Sequence, residues 1–224
     1  MLRSAEKTNV PRHSRRKILL IAGGLFGAAN IAAQPADKRF VIVLIGPPGS
    51  GKTTQSEFLK KTFGIPTIVS EDLIRNNPSA LAKYRTDGID PGTPQSSPAL
   101  NELVQDALSK IDRTKGVVLD GYPATKDQAD HLAGLVRKLT LPSPIVIQLD
   151  VPDNVDRERL KKRGREDDTP EVIARRLKDY HRELDMIRSY YPEANIWTID
   201  GSRSPAEVSQ TIQSILNDEV PKKR

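Results

Sequence analysis

The run Gly46-Pro-Pro-Gly-Ser-Gly-Lys52-Thr53 constrains this chain most, because it directly follows the apolar stretch Phe40-Val-Ile-Val-Leu-Ile45. An apolar run of strand length and then a glycine-rich turn ending in Gly-Lys-Thr is the pattern of a P-loop. Gly46 and Gly51 allow the backbone to bend tightly, so that successive N–H groups point inward at an anion. Lys52 adds a mobile charge for the β- and γ-phosphates of a nucleoside triphosphate, and the Thr53 hydroxyl suits Mg²⁺. The helix expected from Lys52 onward aims its positive end at the same point. The strand pattern before the turn and the helical pattern after it (Gln55, Phe58, Leu59, Phe63) separate this run from a chance glycine-rich turn.

A chain of 224 residues suits one α/β domain with a core large enough to be stable unaided. Apolar runs of strand length occur at Phe40–Ile45, Thr67–Val69, Gly116–Asp120, Ile145–Asp150 and Ile196–Asp200. Helical patterns fall between them, near 52–62, 97–112, 126–139, 153–163, 170–189 and 205–217. The alternation predicts a parallel sheet with helices on both faces, of the P-loop nucleoside triphosphate hydrolase type. Thr169 as cap, Pro170 at the first position and Glu171 in the first turn mark a helix start. Residues 76–98 break the alternation, with Pro78, Gly88, Pro91, Gly92, Pro94 and Pro98 crowded together. Such an insert after a strand is either a substrate-binding segment or a tolerated surface loop; its position favours substrate binding.

The net charge of +6 is unevenly placed. Arg3, Lys7, Arg12, Arg15, Arg16 and Lys17 face one acid, Glu6, within residues 1–33, which leaves about +1 for residues 34–224. With five Tyr, four Phe and one Trp, the nearly neutral body makes a poor platform for stacking bases, so a nucleic-acid partner is not expected. Ser14-Arg15-Arg16-Lys17 precedes about sixteen mostly apolar residues, Ile18 to Ala33, and then Gln34-Pro35. That anatomy fits an export signal, and the paired arginines and Gly/Ala-rich core resemble a twin-arginine one. Residues 1–37 are thus the expected signal and linker, with a cell-envelope or periplasmic destination and cleavage after Ala33. A membrane anchor, the only membrane contact foreseen, and a tail before a cytoplasmic enzyme are the alternatives. The absence of cysteine excludes disulfides and Cys-based metal sites.

Two further clusters suit phosphate chemistry. Val117-Val-Leu-Asp120 is an apolar strand ending in an acid, which beside a P-loop can organise Mg²⁺ through its water shell. Arg163-Gly164-Arg165 interrupts a basic helix with a hinge-like turn, and helical spacing lets Arg176 approach the same anion. Phosphoryl transfer is catalysed mainly by cations placed around the moving group, and mobile arginines that close over it also exclude water. A solvated helix face is the plainer reading of such a charge run.

Taken with Ser70-Glu-Asp72-Leu-Ile-Arg75, Leu119-Asp-Gly-Tyr-Pro123 and Lys162-Arg-Gly-Arg-Glu-Asp-Asp-Thr-Pro-Glu171, these motifs resemble the adenylate kinases, of the nucleoside-monophosphate kinase family. The similarity runs from about residue 38 to 218. It implies a kinase domain over 38–224, with an acceptor-binding insert near 70–98 and a short lid near 163–168 that lacks zinc-binding cysteines. It implies transfer of the ATP γ-phosphoryl group to a nucleoside monophosphate such as AMP, with Mg²⁺ as cofactor, in a monomer. ATP would lie on Gly46, Pro47, Pro48, Gly49, Ser50, Gly51, Lys52, Thr53 and Thr54, the metal on Thr53 or Thr54 and on Asp120. The acceptor would meet Ser70, Arg75, Gly121, Tyr122 and Gln128, with Arg75 on its phosphate and Gln128 facing its base. An amide offers a donor and an acceptor to the adenine edge, although a Gln on a helix is more often simply solvated. Arg163, Arg165 and Arg176 would surround the transferred phosphoryl group, positioned by Asp72 and the Asp167–Asp168 pair.

The chain departs from the family pattern at four places. Ala124 stands where an arginine normally contacts the acceptor phosphate, a loss of about 2–4 kcal/mol of transition-state stabilisation. Lys126 is the nearest substitute, a point charge without the guanidinium fork. Glu71 replaces a glycine in the acceptor motif, Thr53 replaces a glycine after the lysine, and the lid lacks several residues between Gly164 and Arg165. Phosphorylation of another small acceptor, or nucleotide binding with little catalysis, are the alternative functions. His13, His131 and His181 are too scattered for a metal site, Trp197 suits core packing, and Arg137-Lys138 and Pro221–Arg224 suit solvent.

Overall fold

A strand apolar at every position needs cover on both faces, and the six residues Phe40–Ile45 are all buried. They form β1, the centre of one parallel sheet in a computed structural model that describes residues 39–79, 97–165 and 168–218. The expected signal and linker, residues 80–96 of the expected insert, and Asp167 lie outside the described residues. The other strands are β2 (Thr67–Val69), β3 (Gly116–Asp120), β4 (Ile145–Asp150) and β5 (Ile196–Asp200), in the order β2-β3-β1-β4-β5. All four neighbouring pairs are parallel.

Alternate side chains of β1 enter two separate cores. Val41, Val43 and Ile45 pack with α3 (Ser97–Lys110), α4 (Lys126–Lys138) and α6 (Pro170–Tyr190), through Leu108, Leu132 and Ile187 among others. Phe40, Ile42 and Leu44 pack with α1 (Lys52–Phe63) and α7 (Pro205–Asp218), through Leu59, Phe63, Ile212 and Leu216. Each such fully buried side chain contributes about 1.5–3 kcal/mol relative to exposure. A smaller cluster of Leu160, Ile173 and Leu177 joins α5 (Asp153–Arg163) to α6. Trp197, partly buried on edge strand β5, packs against the second core.

Local chemistry sets the helix ends. The Thr169 hydroxyl accepts the Val172 N–H at 3.3 Å, with Pro170 at the first position of α6. Gly164, at φ +62°, ends α5, its N–H reaching the Leu160 carbonyl at 3.2 Å. One further helix, α2 (Ser70–Asn76), follows β2 directly. Seven residues rich in acid carry too little periodicity to reveal it in sequence. Among the described residues no helix is long and apolar enough to cross a membrane.

Candidate active site

The P-loop leaves the carboxyl end of β1, between β3 and β4, where ligands of such sheets bind. Its conformation needs glycine: Gly49 and Gly51 sit at φ +93° and +94°, the left-handed region. At Gly46 the constraint is space, since a Cβ there would stand 2.6 Å from Ser50 Oγ and 3.0 Å from the Leu149 carbonyl. The Lys52 ammonium donates to the carbonyls of Gly46 (2.6 Å) and Pro47 (3.1 Å), so it is folded onto the loop it serves. Arg159 on α5 braces the same loop, donating to the carbonyls of Gly201 (2.9 Å) and Ser202 (3.2 Å) and reaching that of Gly49 at 3.5 Å.

The loop opens on a cavity of about 1010 Å³. Six cations line it: Lys52, Arg75, Arg163, Arg165, Arg175 and Arg176. So do Thr53, Thr54, Ser70, Asp120 and Gly121. The tertiary structure thus gathers P-loop, β3 end, α2 and the Arg163–Arg165 turn around one space.

Asp120 is 4% exposed, and burial raises its carboxyl above the ordinary range while nearby Lys52 pulls it back. Asp168, its side chain 2% exposed, takes Arg163 at two points (2.9 and 2.7 Å) and Arg176 Nη1 at 3.0 Å. A single buried acid therefore holds two of the expected catalytic arginines. Across the cavity, Arg75 donates to Glu71 (2.8 Å) and to Asp72 (3.0 Å), and Arg165 Nη1 lies 3.5 Å from the same Glu71 oxygen.

The family model described as "Adenylate kinase" matches residues 44–196. The chain belongs to the adenylate kinase family. An adenylate kinase of Xylella fastidiosa (strain 9a5c) is 39% identical over 179 residues, covering 76% of this chain and 96% of its own length. Those of Nocardia farcinica (strain IFM 10152) and Mycobacteroides abscessus (strain ATCC 19977) are each 36% identical, over 172 and 178 residues. They cover 75% and 78% of this chain, and 94% and 98% of their own lengths. As an adenylate kinase family member the chain is a nucleoside-monophosphate kinase that binds nucleotides and transfers a phosphoryl group.

Within this adenylate kinase Tyr122, Gln128, Pro47 and Ser50 lie behind the cavity surface. Tyr122 is wholly buried, its hydroxyl 2.7 Å from Asn101 Oδ1 and 3.1 Å from the Gln128 carbonyl, so it builds the wall behind the cavity. Gln128 is also fully buried rather than set at the cavity surface, and its Oε1 accepts the Ala124 N–H at 2.7 Å. The amide supports the backbone of the Asp120–Ala124 turn, a demand that a part-buried N–H imposes and that helix patterning does not reveal. Lys126, the nearest substitute for the arginine absent at Ala124, is not among the residues that line the cavity. It is paired with Asp130 at 2.6 Å, while Ala124 itself lines the cavity. Pro47 and Ser50 stand behind the P-loop surface rather than on it.

Two acids near the adenylate kinase P-loop escaped sequence reasoning. Glu183, partly buried on α6, lines the cavity, and burial pushes its carboxyl up to about 7. Asp156 on α5 is 0% exposed, neither of its oxygens has a hydrogen-bond partner among the described residues, and burial pushes it up to about 7 against the pull of Lys52 and Arg159. Their only sequence signal is an acid at a position whose neighbours one helical turn on, Leu160 and Ile187, face the core.

The donor set suits Mg²⁺. Thr53 and Asp120 offer hard oxygens on the cavity surface, and Asp120, held above its ordinary range, gains from a cation beside it. The described residues hold no group of three metal-ligating side chains, so nucleotide oxygens and water would complete the shell.

Proposed function

We propose that this kinase transfers the γ-phosphoryl group of ATP to AMP, giving two ADP. The observation that carries the reading is the single cavity beside the P-loop with six cations on its walls. Two polyanions placed end to end need such a lining to lie within bonding distance of each other.

The bond between the γ-phosphorus and the β–γ bridging oxygen breaks, while an oxygen of the acceptor's phosphate bonds to the same phosphorus. The electron pair of the broken bond stays on the β-phosphate. No proton need be abstracted, because the attacking phosphate oxygen is already ionised. Backbone N–H groups of Gly49–Thr53 cradle the donor's phosphates, with Lys52 swinging from the Gly46 and Pro47 carbonyls onto them. Arg75 takes the acceptor's phosphate, and Arg163, Arg165 and Arg176 hold charge on the transferred group. Asp168 keeps two of those arginines in one orientation before substrate arrives. Thr53 and Asp120 would hold Mg²⁺, which when bound neutralises charge on the β- and γ-phosphates.

The test mixes the full chain with ATP, Mg²⁺ and AMP and follows ADP, with Lys52→Ala as blank. ADP that appears with wild type and vanishes in the variant supports AMP as acceptor. ADP formation with another monophosphate but not with AMP overturns that assignment.

We propose further that residues 1–33 export the kinase, on the basis of Arg15-Arg16-Lys17 and the apolar run that follows. Amino-terminal sequencing of the protein recovered from its cells would read Gln34 first; an intact Met1 overturns cleavage.

A further inference from the structure

Glu71 lies in the first turn of helix α2 and lines the cavity at its acceptor side. Its Oε1 receives Arg75 Nη2 at 2.8 Å and faces Arg165 Nη1 at 3.5 Å. One carboxylate oxygen thereby collects two guanidinium groups from distant parts of the chain, one on α2 and one in the turn after α5. A phosphate oxygen bound in the same place would meet the same two groups.

Stability does not account for the arrangement. The side chains of Glu71 and Arg75 are 60% and 59% exposed, and ion pairs so exposed contribute little to folding. Occupancy is the larger consequence. Arg75 donates through one amino nitrogen to Glu71 and through the other to Asp72, so both amino groups of its fork already carry an acid. An incoming phosphate needs that fork for two-point binding. Taking the two amino groups together displaces Glu71 and leaves the phosphate beside the carboxylate it displaced. Ala124, on the same wall, supplies no charge to offset that repulsion.

We propose that Glu71 is an internal competitor of the acceptor's phosphate, holding Arg75 and Arg165 until an acceptor displaces it and thereby raising the KM for the acceptor. The inference rests on the reading that the acceptor phosphate binds between Arg75 and Arg165. Asp72 holds Arg75 alone, whereas Glu71 also faces Arg165, so Glu71 is the acid that occupies the point between the two guanidinium groups. The donor's phosphates lie on the P-loop, so the KM for ATP is not affected.

The experiment compares the full-length wild type with Glu71→Gln and Glu71→Asp. Steady-state kinetics with AMP varied at saturating MgATP are paired with calorimetric titration of AMP alone. In Glu71→Gln the KM and Kd for AMP should fall about three- to tenfold, with kcat and the KM for ATP within about twofold. Glu71→Asp, which keeps the charge, should stay nearer to wild type. An AMP KM in Glu71→Gln that is unchanged or higher overturns the proposal, the latter because Glu71 would then be positioning Arg75. Should wild type form no ADP from AMP, the AMP assignment fails by itself. The Glu71 inference is then judged on inorganic phosphate, which must bind Glu71→Gln more tightly than wild type.

Discussion

Arg163 and Asp168 form a two-point ion pair, Nε to Oδ2 at 2.9 Å and Nη2 to Oδ1 at 2.7 Å. The acid is nearly sealed from solvent, and it also holds Arg176. Asp168→Asn keeps the shape and removes the charge that aligns both guanidinium groups. The expected result is a kcat lower by about 10- to 100-fold, since a charge-assisted hydrogen bond is worth about 1.5–3 kcal/mol. Steady-state assays at saturating nucleotides would measure it, and a kcat within twofold of wild type would show that the arginines orient without Asp168.

Ala124→Arg should raise turnover. The backbone at residue 124 is held by Gln128 and faces the cavity, so a guanidinium there is directed at the acceptor. A gain of about tenfold in kcat/KM for AMP is expected, below the full 2–4 kcal/mol of an optimised two-point contact. An unaltered kcat/KM would mean that the remaining arginines already supply that charge.

Gln128→Leu should destabilise the apo protein. It leaves the part-buried Ala124 N–H without its side-chain acceptor, at a cost of about 1–3 kcal/mol. For a domain of this size the melting temperature should drop by roughly 3–10 °C. Thermal unfolding without nucleotide is the relevant measurement, because a residue serving only a ligand would leave that Tm untouched.

Asp156 gives a pH signature of opposite sign to that of an ordinary salt-bridged acid. Its folded value near 7 lies above the unfolded 3.8, so the neutral carboxyl favours the folded state. The stability this contributes is fully present below 3.8 and is lost as pH rises through about 7. Asp156→Asn removes the titration. The variant should match wild type near pH 4 and exceed it by about 2–4 kcal/mol at pH 8. Denaturant unfolding at both pH values would test this; a constant difference would place the ionisation elsewhere.

Much of the fold was legible because the signals are contiguous. All five strands lie at the ranges marked by their apolar runs, and Thr169-Pro170 marks the start of α6. Helix α2 was not legible, since seven residues following a three-residue strand show no usable period. In the site, the P-loop and the acid ending β3 were visible as local motifs. The environments of Tyr122 and Gln128 were not, because a motif letter carries no record of whether its side chain turns to ligand or backbone.

The sequence by itself determined the strand positions, the glycine-dependent phosphate turn and the inventory of arginines, each a matter of local backbone preference or residue chemistry. Only the tertiary structure set Glu71 against Arg165 and gave Asp72 to Arg75 rather than to the arginines held by Asp168. Asp168 joins Arg163 to Arg176, and Glu71 stands between Arg75 and Arg165, whereas the Lys126–Asp130 pair is a local contact one helical turn apart. Charge interactions act through space over a few ångströms, and folding brings within that range residues that lie far apart along the chain.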